Sequence, residues 1–234
     1  MFWQGLAFLL IFSLPLFFLV KDPHRNQKKD GGFNRLLKQA FGELKHTIYQ
    51  MKGFGTLPRF LLASFIYNDA VNTSLIFLVL FARQVIGFTI QQFFFAFAIM
   101  ALGSAGGALL FGHISDRLGP KRALSIALIG WMAVIIFLLF DATFIDLIIA
   151  GTVGGVMLGG IWTMNRHMII RITPPNKLAE IFGIEGFTER FSGVIGPIVF
   201  GALVVAFGYT PGLIFILLLL ILGFVLLQLV PRQV

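Results

Sequence analysis

Asp69 stands about ten residues into an apolar stretch, roughly 15 Å deep at 1.5 Å per residue. A carboxylate at that depth is costly, and a costly ionisable group inside a membrane span marks a working position. It can bind a cationic group or, once taken out of water, carry a proton. The alternatives are a structural partner for Arg190 or a polar cap on a broken helix. Asn68 and Asn72, one turn apart, read as hydrogen-bonding groups for a solute or as a bond between helices. A second polar face comes from Glu185, Thr188, Glu189 and Ser192, whose i, i+3, i+4, i+7 spacing gathers them on one side of a helix. Two carboxylates one turn apart repel unless one is protonated or a cation intervenes, and Arg190 is the expected cation. Asn68, Asp69, Asn72, Glu185, Glu189 and Arg190 are therefore the expected solute or proton pathway. His24, His46, His113 and His167 are not spaced with one another or with carboxylates as metal ligands, and no HExxH, phosphate loop or nucleophile elbow occurs. Neither an enzyme, a metal site, a cofactor nor an ATP-driven pump is expected.

Positioning such groups requires helices in lipid. Hydrophobic residues make up 58% of the chain and charged residues 12%, too little polar surface for a water-soluble fold of this length. The apolar runs are continuous rather than alternating, which excludes a barrel. At about 20 apolar residues per span, the chain divides into seven expected spans at 1–20, 59–82, 89–111, 123–140, 143–164, 180–206 and 211–230. The fold class is thus an all-α integral membrane protein. The first stretch lacks a basic start and a small-residue cleavage site, so it reads as a retained span rather than a signal peptide.

The net charge of +8 does not point to nucleic acid, because the basic residues fall in alternate connections. Nine lie from Lys21 to Arg59, followed by Arg117, Lys121 and Arg122, then Arg166, Arg171 and Lys177, and Arg232 after the last span. The opposite connections hold Arg83, with Asp141 and Asp146. Basic connections stay cytoplasmic, which places the N-terminus outside and the C-terminus inside. Within 21–58, Phe33, Leu36, Leu37, Ala40, Phe41, Leu44, Ile48 and Met51 follow helical spacing, as in a surface helix lying along the membrane lipids. The absence of cysteine excludes disulfides and thiolate metal sites.

Sorted by polarity, the last six spans form two triplets. Polar, glycine-bearing spans come first in each, and the greasy spans 123–140 and 211–230 close them. Paired three-helix repeats are a common construction in secondary transporters. Gly103 and Gly107, and Gly151, Gly155 and Gly159, stand four apart, a spacing that lets helix backbones approach closely in lipid.

The cytoplasmic turn reads Gly112-His113-Ile114-Ser115-Asp116-Arg117-Leu118-Gly119-Pro120-Lys121-Arg122. It resembles the signature loop of the major facilitator superfamily: a glycine, an Asp-Arg pair, a glycine and a basic pair. Pro120 can open the next helix without wasting an amide, Asp116 can accept from helix N-terminal amides, and Arg117, Lys121 and Arg122 hold the turn inside. The resemblance implies that Gly112, Asp116, Arg117, Gly119, Lys121 and Arg122 form a conformational latch. Tyr67-Asn68-Asp69, Gly159-Gly160, Arg166, Pro174-Pro175, Ala179-Glu180-Ile181-Phe182-Gly183 and Gly196-Pro197 follow in the order of the superfamily's vacuolar-effluxer-type branch. Ala70 departs from the Gly common after Asn-Asp, and Trp162 from a usual Gln.

The resemblance covers the whole chain as spans 6 to 12 of a twelve-span protein. It implies 1–20 as the last helix of an N-terminal half, 21–58 as a cytoplasmic linker, 59–230 as the C-terminal six-helix bundle and 231–234 as a tail. The implied function is a permease moving a small-molecule solute, amino acids or related metabolites, by alternating access. The plasma (bacterial inner) membrane is favoured over a vacuole. Five spans of that architecture are absent, so the implied partner is an N-terminal half in the same or a separate chain. A truncated, non-transporting remnant or a regulatory membrane partner is the rival expectation. A seven-span receptor is disfavoured by the long first internal connection and by the last span's lack of a lysine for a retinal Schiff base.

Overall fold

The structure, a computed structural model, describes residues 13–14, 56–140 and 143–231. The chain divides into two units, Met1–Lys45 and His46–Val234, and the second holds every helix of membrane-spanning length among the described residues. The expected span 1–20 (residues 13–14 apart), the amphipathic stretch 33–51 and Arg232 lie outside the described residues. Among those residues the second unit is all helical, with six helices long and apolar enough to cross a membrane.

Local chemistry explains where each helix starts. The first, α1 (Leu57–Gln84), opens on Pro58, whose missing N–H is no loss in a first turn. A turn through Gly87 at φ +78 leads to α2 (Ile90–Leu118). Thr89 and Gln92 form a capping box there: the Gln92 amide donates to Thr89 Oγ1 at 3.3 Å, and the Thr89 amide to Gln92 Oε1 at 2.9 Å. Next, α3 (Pro120–Phe137) opens on another proline. Thr143 and Asp146 repeat the capping box for α4 (Phe144–Ile172). A single 3-10 turn, Pro175–Lys177, leads into α5 (Leu178–Phe207), and Gly208 at φ +88 separates it from α6 (Tyr209–Gln228).

Several helices run further than their apolar sequences suggest. The expected cytoplasmic turn 112–122 is helix except at Gly119, whose φ of +83 makes the whole connection. The expected connection 165–179 is likewise helical through Ile172. A 29-residue helix is about 43 Å long, more than the roughly 30 Å hydrocarbon core, so its charged last turns need not be apolar.

The centre of the unit is α1. Leu57, Phe60, Ala63, Tyr67, Ala70 and Phe77 are all fully buried, and their spacing of three, four or seven residues is one helix stripe. Its main neighbours are α5 and α6, with a lighter contact to α4; the main neighbours of α4 are α2 and α3. Exchanging α1–α3 with α4–α6 maps one set of contacts onto the other, the arrangement expected of two three-helix repeats. The closing helices α3 and α6 are apolar as expected, yet they are better covered than α2 and α5, because they pack behind α1 and α4. The glycine seam lies between α2 and α4. A Cβ on Gly107 would strike the Val156 backbone, one on Gly155 that of Met100, and one on Gly159 that of Ser104.

Candidate functional site

Three consecutive residues at the middle of α1 each bond to another helix. Tyr67 Oη donates to Asn165 Oδ1 of α4 at 2.6 Å, and Asn165 Nδ2 donates to Asn68 Oδ1 at 3.4 Å. Asp69 Oδ1 accepts the main-chain N–H of Gly196 in α5 at 3.0 Å. All four of these α1 and α4 side chains are buried. One turn on, Thr73 Oγ1 donates to the Asp69 carbonyl at 2.6 Å, and Trp131 Nε1 of α3 donates to Ser74 Oγ at 3.0 Å. A polar group buried in lipid has no water to turn to, so each of the bonds between helices fixes which helix faces which, while the Thr73 bond stays within α1.

Asp69 therefore takes the second of its two expected structural roles in the geometry: it caps a broken helix. It does not pair with Arg190. Its Oδ2 makes no hydrogen bond among the described residues.

The polar face of α5 is present and half-buried. Thr188 bonds back to the Ile184 carbonyl, and Ser192, fully buried, to that of Glu189 at 2.8 Å. Glu185 and Glu189 share this face near Tyr67, and Arg166 of α4 is the cation in the neighbourhood of Glu185. Arg190 directly follows Glu189, and residues i and i+1 of a helix do not face each other; it lies on the exposed side of α5 with Phe187 and Phe191. Among the described residues Arg190 forms no ion pair; Lys177 and Glu180, 3.0 Å apart, form one. Asn72 lies against Gly193, close to where a Cβ would stand.

An apolar cavity of about 430 Å³ opens separately between α1, α2 and α4. Leu78, Phe93, Phe97, Met100 and Trp162 line it, with Ser104 as its polar contribution. None of the six expected pathway residues lines it, whereas Trp162 does.

Around the α2–α3 connection, the expected latch residues fall in different settings. Gly112, Asp116 and Arg117 belong to α2, the latter two exposed on its last turn, and Asp116 caps no amide among the described residues. Ser115 Oγ meets His167 Nδ1 of α4 at 3.5 Å. Lys121 reaches across to α6, where its Nζ donates to the Gln228 carbonyl at 2.9 Å and to that of Val230. Those are carbonyls a helix end leaves unpaired, so the lysine caps α6 with its charge. Gln228 Nε2 adds a bond to Ser125 Oγ at 2.9 Å. Arg122 is exposed.

Sequence reasoning misses Asn165, which joins Tyr67 to Asn68. Hydropathy puts it in a connection, and only the continuation of the α4 helical stripe through Met164 and Met168 could draw it in. The pairing of Trp131 with Ser74 has no sequence signal.

Membrane-length helices arranged as two exchanging triplets around mid-membrane polar bonds define a multi-pass helical membrane protein. The chain belongs to the vacuole effluxer Atg22-like family, whose model matches residues 4–233. It is 22% identical to the uncharacterized MFS-type transporter YxiO of Bacillus subtilis, across 99% of this chain and 52% of that protein. It is 23% identical to autophagy-related protein 22 of Kluyveromyces lactis, across 82% of this chain and 42% of the other. An uncharacterized protein of Aquifex aeolicus is 24% identical across 82% and 46% respectively. The chain thus spans about half the length of the curated relatives it matches.

Proposed function

We propose that this chain supplies the C-terminal six-helix bundle of a facilitator-type secondary transporter, preceded by one further span and a cytoplasmic linker. It works with an N-terminal half to move a small solute, amino acids or related metabolites, by alternating access across the plasma (bacterial inner) membrane. Basic connections put the N-terminus outside and the C-terminus inside. The observation that carries the reading is the pairing of family membership with an incomplete seam: α2 and α5 are the least covered helices, and α5 carries Arg190 outward at mid-membrane. An ionisable side chain there calls for a partner.

Asn68, Asp69, Asn72, Glu185, Glu189 and Arg190 are the proposed pathway, with Arg166 and Tyr67 facing the two glutamates. A proton is carried by the open oxygen of Asp69 or shared by the glutamate pair. The latch residues Gly112, Asp116, Arg117, Gly119, Lys121 and Arg122 control closure on the cytoplasmic side.

The test is reconstitution of the chain in vesicles with an N-terminal half, from an upstream reading frame or from the Bacillus subtilis relative. Uptake of labelled amino acids by the pair, absent from either part alone, is expected. Glu185→Gln and Glu189→Gln are expected to flatten its pH response. A stable, correctly assembled pair that moves no solute sinks the transport reading. It would favour the second one, a non-transporting remnant or regulatory membrane partner.

A further inference from the structure

The helix α5 is not straight. Gly193 sits at φ −88, ψ +18, outside helical values, and Pro197 four residues later has no N–H for the Gly193 carbonyl. A proline inside a helix removes a bond and crowds the preceding turn, which is a recognised cause of a sharp kink. In a membrane such a break persists only where neighbours re-satisfy or brace it.

The brace is α1. Its Asp69 Oδ1 accepts the Gly196 N–H at 3.0 Å, and Asn72 lies on Gly193. Gly196 has no room for a side chain: a Cβ would strike Thr73 Oγ1 and come within 2.9 Å of Asp69 Oδ2. Thr73 is itself held by its bond to the Asp69 carbonyl. Gly193 to Pro197 is thus cradled by Asp69, Asn72 and Thr73 on the most buried helix of the unit. Below the break lies the arm of α5 that carries Glu185, Glu189 and Arg190; above it lies an apolar arm.

We infer that Asp69 is a positioning residue for α5: one carboxylate oxygen holds the Gly193–Pro197 break bent through the Gly196 amide, and the charged cytoplasmic arm swings about that point. The role belongs to Oδ1 as an acceptor, so it does not depend on the carboxylate's charge. It is separate from any proton on Oδ2 and from the identity of the solute.

The chain has no cysteine, which permits clean spin labelling. Labels at Gly183→Cys, where the space for a side chain is open, and at Ile126→Cys, exposed on α3, report the arm against a fixed helix by pulsed electron resonance in lipid nanodiscs. Gly183 is ten residues from Gly193, about 15 Å along the helix, so a swing of about 20° moves the label by about 5 Å. Asp69→Asn keeps an acceptor oxygen and is expected to leave the distance distribution unchanged. Asp69→Ala removes it and is expected to shift or broaden the distribution by about that amount. Gly196→Ala keeps the carboxylate but pushes α5 off α1, and is expected to resemble Asp69→Ala; it serves where that variant fails to assemble. An unchanged distribution in both Asp69→Ala and Gly196→Ala overturns the inference. A shift in Asp69→Asn as large as in Asp69→Ala also overturns it, because the charge rather than the acceptor would then hold the arm.

Discussion

Asn165 serves two residues of α1 at once, accepting from Tyr67 and donating to Asn68. Removing the Tyr67 hydroxyl leaves Asn165 with one partner, and a side-chain bond between membrane helices is worth about 0.6 kcal/mol on average and up to about 1.7. Tyr67→Phe is therefore expected to lower stability by an amount in that range, measured by reversible unfolding in mixed micelles. Asn165→Leu is expected to cost more, since it strands both the phenol and Asn68. Asn68 and Asp69 were legible as polar groups in an apolar run and Tyr67 only as part of the family motif, but the partners of all three were not. Polarity says that a group needs a bond; it does not say whether a solute, a side chain or a main-chain amide provides it. Arg190 shows the complementary error. It was expected as the cation between Glu185 and Glu189, whereas it stands on the exposed side of α5 and forms no ion pair among the described residues.

Among elements, the α2–α4 seam separates spacing from contact. Gly151, Gly155 and Gly159 share one sequence pattern, yet a Cβ on Gly151 meets nothing and that residue lines the cavity, while the other two press on the α2 backbone. Gly151→Ala is expected to be silent in thermal stability. Gly155→Val is expected to force the helices apart and cost about 1–3 kcal/mol or more, as overpacking does. Helix type and order were readable from hydropathy, and the chain's two triplets from polarity. The starts of α2 and α4 were readable too, but their C-terminal ends were not, because both helices run past the hydrocarbon into charged sequence, α2 as far as Gly119. The Lys121 cap on α6 was equally invisible, since 107 residues separate it from Gln228. Lys121→Met is expected to raise hydrogen exchange of the last turn of α6, at residues 226–230, and to leave the middle of that helix unchanged.

For the molecule as a whole, the back of the unit is closed by α3 and α6 and the front is left to α2 and α5. Leu109 and Phe191, on those two helices, and Leu218, on α6, are all exposed. Single cysteines at the three positions are expected to react alike with a membrane-permeant maleimide in the isolated chain. Once an N-terminal half is joined, the first two are expected to be protected and Leu218→Cys is not; equal reactivity at all three would argue against a front seam. The central place of α1 has a consequence for biosynthesis. This helix is made first of the six, yet its Asp69 meets the Gly196 amide only after 127 more residues. At roughly 5–20 residues per second, that carboxylate waits on the order of 6 to 25 s without its amide. A bare aspartate at mid-membrane costs about 2.5–3.5 kcal/mol to insert. During that interval α1 depends on the insertion machinery for shelter, and slowing translation between α1 and α5 should expose it to quality-control proteolysis.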